Sequence, residues 1–430
     1  MDSTDQTLFF SPGSVLVAFL TVAFLIRQAW PRFVDLKYVK CQTKPAPVSS
    51  LSVSKEPEIP EGWLGDSGIF ELERRAIFSQ AWIYLAHNTQ LTKPGMYQSF
   101  DIAGFPVFVI RGKDGEIRAF HNVCRHRAYT ITRKETGAST VLGCRYHGWS
   151  YDTTGRLVKA PQFDQVPGFD KSQNSLFEIH THTTKQGLIL VNLNAEKPTN
   201  LDDEAVSTLD ALFQASGWQQ NSIWVAGQTV SGDFNWKSPM DVSRLEAFST
   251  DLGNSLPRPS GLSTLKMALR RILKASPSTN RFHFPTAFFH HVIHTDFLIA
   301  LSLFPTSAEK TNIRCDIFSC SPIVQKEREA ISKTLGSASK RFNQEIEDEF
   351  QIASKRECNT FELRDQVTRE TLRRVHEHRK LERTHGSEIH PAMRKPKGSN
   401  LFQQAEKLCK ELDCMSGISQ NSSSPDVLDW

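Results

Sequence analysis

Two short stretches of this chain constrain its fold more than any other feature. Cys124-x-His126 is followed, 17 residues later, by Cys144-x-x-His147. Each pair lies between apolar runs, so each is expected on a turn, and the fold must bring the two turns together. Two thiolates and two imidazoles suit a tetrahedral zinc. Common zinc fingers, however, pair Cys with Cys and His with His. Here each pair mixes one cysteine with one histidine. That pattern suits a binuclear [2Fe–2S] cluster in which Cys124 and Cys144 hold one iron and His126 and His147 hold the other. The bland alternative, core cysteines beside unrelated surface histidines, has nothing in the spacing to support it.

The surroundings read as strands. MYQSFDI, PVFVIRG and IRAFHN between Gly95 and Asn122, with the turn KDGE among them, alternate or run apolar, and GLILVNL at 187–193 reads as a buried strand. IFELERRAIFSQAWI at 69–83 has helical spacing. Further helices are expected over 198–214, 326–357, 362–383 and 401–412, with strands at 282–304 and 312–319. A net charge of +4, with no long basic run, does not suggest a nucleic-acid partner. Eight cysteines in 430 residues are too few for a disulfide framework, and Cys41, Cys315, Cys320, Cys358, Cys409 and Cys414 read as free thiols.

Residues 61–195 resemble the Rieske domain of ring-hydroxylating oxygenase α-subunits, in the choline-monooxygenase-like branch and nearest to its members from filamentous fungi. The resemblance rests on FSQAWIYLAHNTQLTKPGMY, AFHNVCRHRA and GCRYHGWSYDTTGRL. It implies an α+β chain with a β-sandwich Rieske domain over 61–197 and a helix-grip-like catalytic domain over 198–414. It also implies a [2Fe–2S] cluster, a mononuclear Fe(II), a homotrimer with electrons passing between subunits, and a small organic substrate. Oxygen activation needs open positions on a second iron, usually held by two histidines and a carboxylate. The chain carries no nucleotide fingerprint, so electrons are expected from a separate NAD(P)H-dependent reductase or ferredoxin. Arg125, Arg127 and Arg145 are candidate docking charges. Trp149 and Tyr151 are expected beside the cluster, with Gly143 and Gly148 as turn residues.

The likeness changes character after Gly232. In GDFNWKSPMDVSRLEAFSTDLGNSLPR, Asn235, Trp236 and Lys237 match the family's catalytic motif, and Asp241 stands where its bridging aspartate would. Glu246 and Phe248 match after a one-residue slip. Ser249 and Asn254 occupy the positions of the two iron-binding histidines. Asp348, in IEDEFQ, matches the family's carboxylate ligand, and His290 and His294 are a possible replacement pair. Three accounts follow: a translated sequence that departs from the gene product over about 238–256, a domain without its mononuclear iron, or an iron held by other ligands. A pure electron carrier is the rival to an oxygenase. The six phenylalanines of 282–304 suit either a quaternary-ammonium pocket or ordinary core.

Phe9–Ile26 is almost wholly apolar and near the minimum length for a bilayer span. Asp2 and Asp5 precede it, while Arg27, Arg32, Lys37 and Lys40 follow. The expectation is a single-pass membrane anchor with the catalytic part in the cytosol, rather than a signal peptide or a buried helix. A proline-rich linker over 27–60 and a disordered serine-rich tail over 415–430 complete the plan.

Overall fold

The computed structural model describes residues 59–198, 209, 222–239, 241–257, 280–292, 295, 297–355 and 366–393. Fifteen strands appear among these residues, in three antiparallel sheets, together with four helices longer than one turn. The chain is therefore α+β. The expected helices at 198–214 and 401–412, the anchor at 9–26, the linker up to residue 58 and the tail at 415–430 lie outside the described residues, Pro198 and Leu209 excepted.

Helix α1 (Ser67–Glu73) is capped by Asp66, whose carboxylate accepts from the Ile69 amide at 2.8 Å. One wider turn, Arg74–Phe78, follows. The helix was expected to run to residue 83, but it stops at Ser79. Ile83–His87 forms strand β1 instead, because IYLAH is buried on both faces and pairs antiparallel with Leu188–Asn192 (β10). A fully buried apolar run satisfies helix and strand spacing alike, and sheet pairing decides it here.

The larger sheet orders its seven strands β1-β10-β9-β4-β3-β2-β5, with β2 Met96–Ile102, β3 Phe105–Arg111, β4 Ile117–His121, β5 Thr136–Ala138 and β9 Glu178–Thr183. The nearly continuous apolar run of β3 has a direct cause. Phe108 and Ile110 point into one core with Trp149 and Tyr151, while Val107 and Val109 point into another with Trp236 and Ile317. Both faces of this strand are buried. A small sheet of β6 Val141–Gly143, β7 Ser150–Asp152 and β8 Leu157–Lys159 supplies the first core's other wall, giving the β-sandwich.

The third sheet, β11-β15-β14-β13-β12, comprises Ile223–Gly232, Lys310–Ser319, Phe297–Ser307, Ala287–His291 and Asn280–His283. Most phenylalanines of the 282–304 run are core residues of this sheet: Phe289 meets Tyr84, and Phe304 meets Phe100. Helix α2 (Val242–Ser255) buries Leu245, Ser249, Leu252 and Gly253. Helix α3 (Gln325–Lys355) buries Ile331, Leu335, Ala338, Phe342, Ile346 and Phe350 at helical spacing. Helix α4 (Gln366–His385) rests on the Arg74–Phe78 turn through Arg75, which is paired with Glu382 at 2.7 Å.

The membrane expectation is corrected here. Among the described residues no helix is long and apolar enough to cross a bilayer. The two longest, α3 and α4, each carry one apolar stripe and a charged opposite face, the pattern of helices lying on a protein core. A single-pass membrane location is therefore dropped.

Candidate metal centre

Two loops with the same hydrogen-bond plan carry the four ligand candidates. In the first, the Cys124 amide donates to the Tyr129 carbonyl at 2.8 Å, and the Ala128 amide donates back to the Cys124 carbonyl at 3.0 Å. In the second, the Cys144 amide donates to the Trp149 carbonyl at 2.8 Å, and the Gly148 amide returns to the Cys144 carbonyl at 3.0 Å. The fourth residue after each cysteine has positive φ, +72° at Gly148 and +56° at Ala128. Alanine rarely adopts this conformation, so the first loop holds it against a local cost. Gly148 is the turn residue expected. Gly143 is not, since it lies in extended β6 and an added Cβ would meet only Ser150 Oγ, at 3.8 Å.

The loops bring the four residues together as two pairs. Cys124 and Cys144 are both buried, in one core with Trp149 and Tyr151. The rings of His126 and His147 stand 4.4 Å apart, centroid to centroid. Among the described residues no three His, Cys, Asp or Glu side chains converge on one point. A cysteine pair beside a histidine pair suits two irons, one held by each pair. The strongest sign of fit is His126. Its side chain is buried, yet neither Nδ1 nor Nε2 has a hydrogen-bond partner. Buried ring nitrogens are rarely left so, and a metal is what would satisfy one of them.

The electrostatics favour ligation. Burial first, then the charges of His147 and Arg127, push His126 down to about 4. Burial and Arg127 also lower His147. Both rings are neutral at pH 7 and present a lone pair. The interaction between the two thiols lowers Cys144 to about 6, against its burial, and raises Cys124, so Cys144 is the readier thiolate of the pair.

The surrounding shell is aromatic. Trp149 stacks on His126 with centroids 5.0 Å apart and 10° between planes, and Phe163 meets the same ring edge-on at 5.2 Å. Tyr151 Oη lies 3.3 Å from Cys124 Sγ and accepts from the Arg125 amide at 3.0 Å. When Cys124 is a thiolate, as ligation requires, the sulfur can only accept, so the Tyr151 hydroxyl is then the donor. Two contributors escaped the sequence reading. Phe163 belongs to no motif, and Asn122 braces the first loop, its Oδ1 accepting from the Ile131 and Thr132 amides and its Nδ2 donating to the Thr132 carbonyl. The only signal for Asn122 was an amide side chain two residues before a ligand.

The second set of candidates does not assemble in this way. Asp241 is exposed and caps helix α2, accepting from the Ser243 amide at 2.9 Å. Asp348 is exposed on α3 and accepts from Gln344 at 2.9 Å. Ser249 is buried with its hydroxyl unpartnered, whereas Asn254 faces solvent. Five residues apart on a regular helix is about 140° around its axis, so these positions share no face. His290 is buried, its Nε2 3.4 Å from Thr250 Oγ1 and its Nδ1 unpartnered, and His294 lies outside the described residues. The described residues thus fit the cluster but show no ligand set for a mononuclear iron.

Asn235, Trp236 and Lys237 have a clear role, and it is in packing. The Trp236 indole donates to Glu73 at 2.8 Å, Lys237 Nζ lies 2.5 Å from the other Glu73 oxygen, and Asn235 Nδ2 donates to the Ala308 carbonyl at 2.6 Å. They tie helix α1 to the third sheet.

Comparison with known proteins agrees with this geometry. Residues 81–170 match the model of the Rieske [2Fe-2S] domain. The chain therefore carries a Rieske domain, of the kind found in ring-hydroxylating oxygenase α-subunits. It is 32% identical over 182 residues to the carnitine monooxygenase oxygenase subunit of Acinetobacter baumannii, covering 42% of this chain and 48% of that protein. It is 39% identical over 134 residues to the chlorobenzene dioxygenase subunit alpha of a Cupriavidus species, covering 31% of this chain and 30% of the other. The chain thus spans at most about half the length of these curated relatives. The fold extends further. The apo structure of the quaternary ammonium Rieske monooxygenase CntA superposes with a TM-score of 0.59 at 22% identity, over 76% of this chain and 98% of that one. Naphthalene 1,2-dioxygenase gives 0.54 at 20%, over 70% and 80%. The relatives are Rieske oxygenases, a kinship that implies a [2Fe–2S] cluster and a mononuclear iron.

Proposed function

We propose that this chain is the oxygenase subunit of a Rieske non-haem iron oxygenase system. It would use O₂ and electrons from a separate NAD(P)H-dependent reductase or ferredoxin to oxidise a small organic substrate. The observation that carries the reading is the placement of Cys124, His126, Cys144 and His147 on two matched loops as a cysteine pair and a histidine pair, with both His126 nitrogens unpartnered. When bound, a Rieske cluster supplies one-electron transfer at a potential raised by its neutral histidines. The chain's own residues hold and tune that centre. Trp149 and Phe163 keep water from His126, and Tyr151 directs a proton toward Cys124 Sγ. The division into a Rieske domain over 61–197 and a catalytic domain over 198–414, and a homotrimeric assembly, belong to the same proposal. So does a bridging role for Asp241, whose exposed carboxylate is accessible to a neighbouring subunit.

Several of the relatives are named for quaternary ammonium substrates, namely carnitine and glycine betaine. Such compounds, with choline, form the first substrate class to examine. A second reading, a Rieske electron carrier without oxygen chemistry, is favoured by Ser249 and Asn254 standing where the family has iron-binding histidines. Oxygen uptake by the reduced protein separates the two. Substrate-dependent O₂ consumption with formation of an oxidised product supports the oxygenase. Cluster reduction with no O₂ consumption on any quaternary ammonium or aromatic substrate supports the carrier.

A further inference from the structure

The two cluster loops are framed differently. The second lies between strands, with β6 ending at Gly143 beside Cys144 and β7 beginning at Ser150 beside Trp149. The first has no such frame. β4 ends at His121 and β5 begins at Thr136, so fourteen residues, 122–135, carry that loop with no strand pairing of their own. Side chains must satisfy there the backbone groups that a ladder satisfies in the second loop.

Two buried side chains close the neck of the first loop. Asn122 Oδ1 accepts from the Ile131 amide at 3.2 Å and the Thr132 amide at 2.9 Å, and its Nδ2 donates to the Thr132 carbonyl at 2.9 Å. Entry and exit of the loop are thus joined across one amide group. The Asn122 backbone N–H is fixed to the Pro106 carbonyl of β3 at 2.8 Å. Thr132 carries the tie to β2, with its Oγ1 2.7 Å from Ser99 Oγ, while the Ser99 amide donates to the Glu135 carbonyl at 2.8 Å.

Beyond the neck lies the contact between Tyr151 and the first ligand. The Arg125 amide donates to Tyr151 Oη at 3.0 Å, and that hydroxyl stands 3.3 Å from Cys124 Sγ. Tyr151 belongs to β7, opposite Leu142 of β6, and is packed in one core with Trp149 and Phe108. The hydroxyl is therefore carried by the small sheet and the sulfur by the first loop. Their separation depends on how the neck seats the loop against that sheet, and a hydrogen bond weakens steeply as its geometry departs from the ideal.

Resting on the cluster assigned above, we infer that Asn122 and Thr132 are positioning residues that set the reduction potential of the centre. By clamping the neck of the first loop they keep Cys124 Sγ within reach of the Tyr151 hydroxyl. They act on the sulfur through that hydroxyl alone.

The test is a double-mutant cycle on the full chain with its cluster, read by protein-film voltammetry. Asn122→Ala should favour the oxidised state about threefold, a fall in potential of about 30 mV at 59 mV per factor of ten. Thr132→Val keeps the backbone groups that Asn122 uses and should give a smaller fall in the same direction. In a Tyr151→Phe background both falls should vanish, because the hydroxyl being positioned is gone. Amide exchange at Ile131 and Thr132 should be about tenfold faster in Asn122→Ala. A brace with a structural role only lowers unfolding stability and leaves the potential unmoved. Unmoved potentials in both variants, or equal falls with and without the Tyr151 hydroxyl, would overturn the inference while leaving the proposed function standing. Should Asn122→Ala fail to hold the cluster, Thr132→Val decides on the same two outcomes. Unmodified protein without acid-labile sulfide would sink both.

Discussion

Lys237 Nζ lies 2.5 Å from Glu73 Oε1, and the Trp236 indole N–H reaches the other oxygen of the same carboxylate at 2.8 Å. The ion pair is enclosed, with the Glu73 side chain fully buried and that of Lys237 4% exposed, and the ammonium also faces the Trp63 ring at 4.4 Å. Breaking such a pair from one side leaves a buried charge without its partner, at a cost of about 3–5 kcal/mol. Lys237→Met alone should therefore lower unfolding stability by that amount. Lys237→Met with Glu73→Leu should recover much of it, while the cluster spectrum stays unchanged in both. Denaturant unfolding of the three proteins checks this. A collapse of the cluster spectrum with retained stability would show instead that the motif serves the metal centre.

His87 makes the fold acid-sensitive. Its side chain is fully buried, and that burial pushes it from 6.5 down to about 4, against the opposing pull of the Gln186 carbonyl 2.7 Å from Nε2. The unfolded chain therefore takes up a proton near pH 6.5 that the folded chain refuses until about pH 4. The stability His87 contributes is present above pH 6.5 and is lost as pH falls toward 4, up to about 3 kcal/mol. His283, also lowered by burial, adds to the slope. In His87→Gln the fall in stability between pH 6.5 and 4.5 should be about halved. An unchanged slope would place the acid sensitivity elsewhere.

Much of the Rieske half was legible because its sequence encodes local geometry. Two cysteine turns, each with a histidine two or three residues on, leave few ways to arrange the ligands. The strands around them alternate, or are buried on both faces as β3 is. Ala128 was not legible, because positive φ in alanine is imposed by the loop rather than chosen by the residue. The start of β1 was misread as helix for a related reason: IYLAH has no polar face with which to declare its period. Past Gly232, motif matching and three-dimensional role part company. Trp236 and Lys237 match a catalytic motif yet anchor Glu73, and only the fold could show this.

Tyr151 should tune the centre without holding it. Its hydroxyl is 3.3 Å from Cys124 Sγ and accepts from the Arg125 amide. A hydrogen bond to a ligand sulfur stabilises the reduced, more negative state. Tyr151→Phe removes about 1 kcal/mol of that preference, so the potential should drop by about 50 mV with iron and sulfide content unchanged. Protein-film voltammetry checks this. A rise in potential, or loss of iron, would mean that the hydroxyl does something else.

The two aspartates separate the cluster from any second iron. Asp241 accepts the Ser243 amide at the start of α2, so Asp241→Ala should cost about 1 kcal/mol of stability and Asp241→Asn much less. If Asp241 also bridges to a neighbour's cluster, Asp241→Asn should keep its stability and its cluster but lose electron transfer between subunits. Asp348 faces solvent and accepts from Gln344, so Asp348→Asn should leave both iron and sulfide per chain unaltered, whereas Cys144→Ser should abolish the sulfide. Iron and acid-labile sulfide on anaerobically purified protein measure all of these. About two irons per two sulfides would mean the cluster alone, and about three would mean an added mononuclear iron. Should Asp348→Asn lower a three-to-two ratio to two-to-two, its carboxylate must turn inward to bind that iron, and the exposed geometry seen here would not be the one that works.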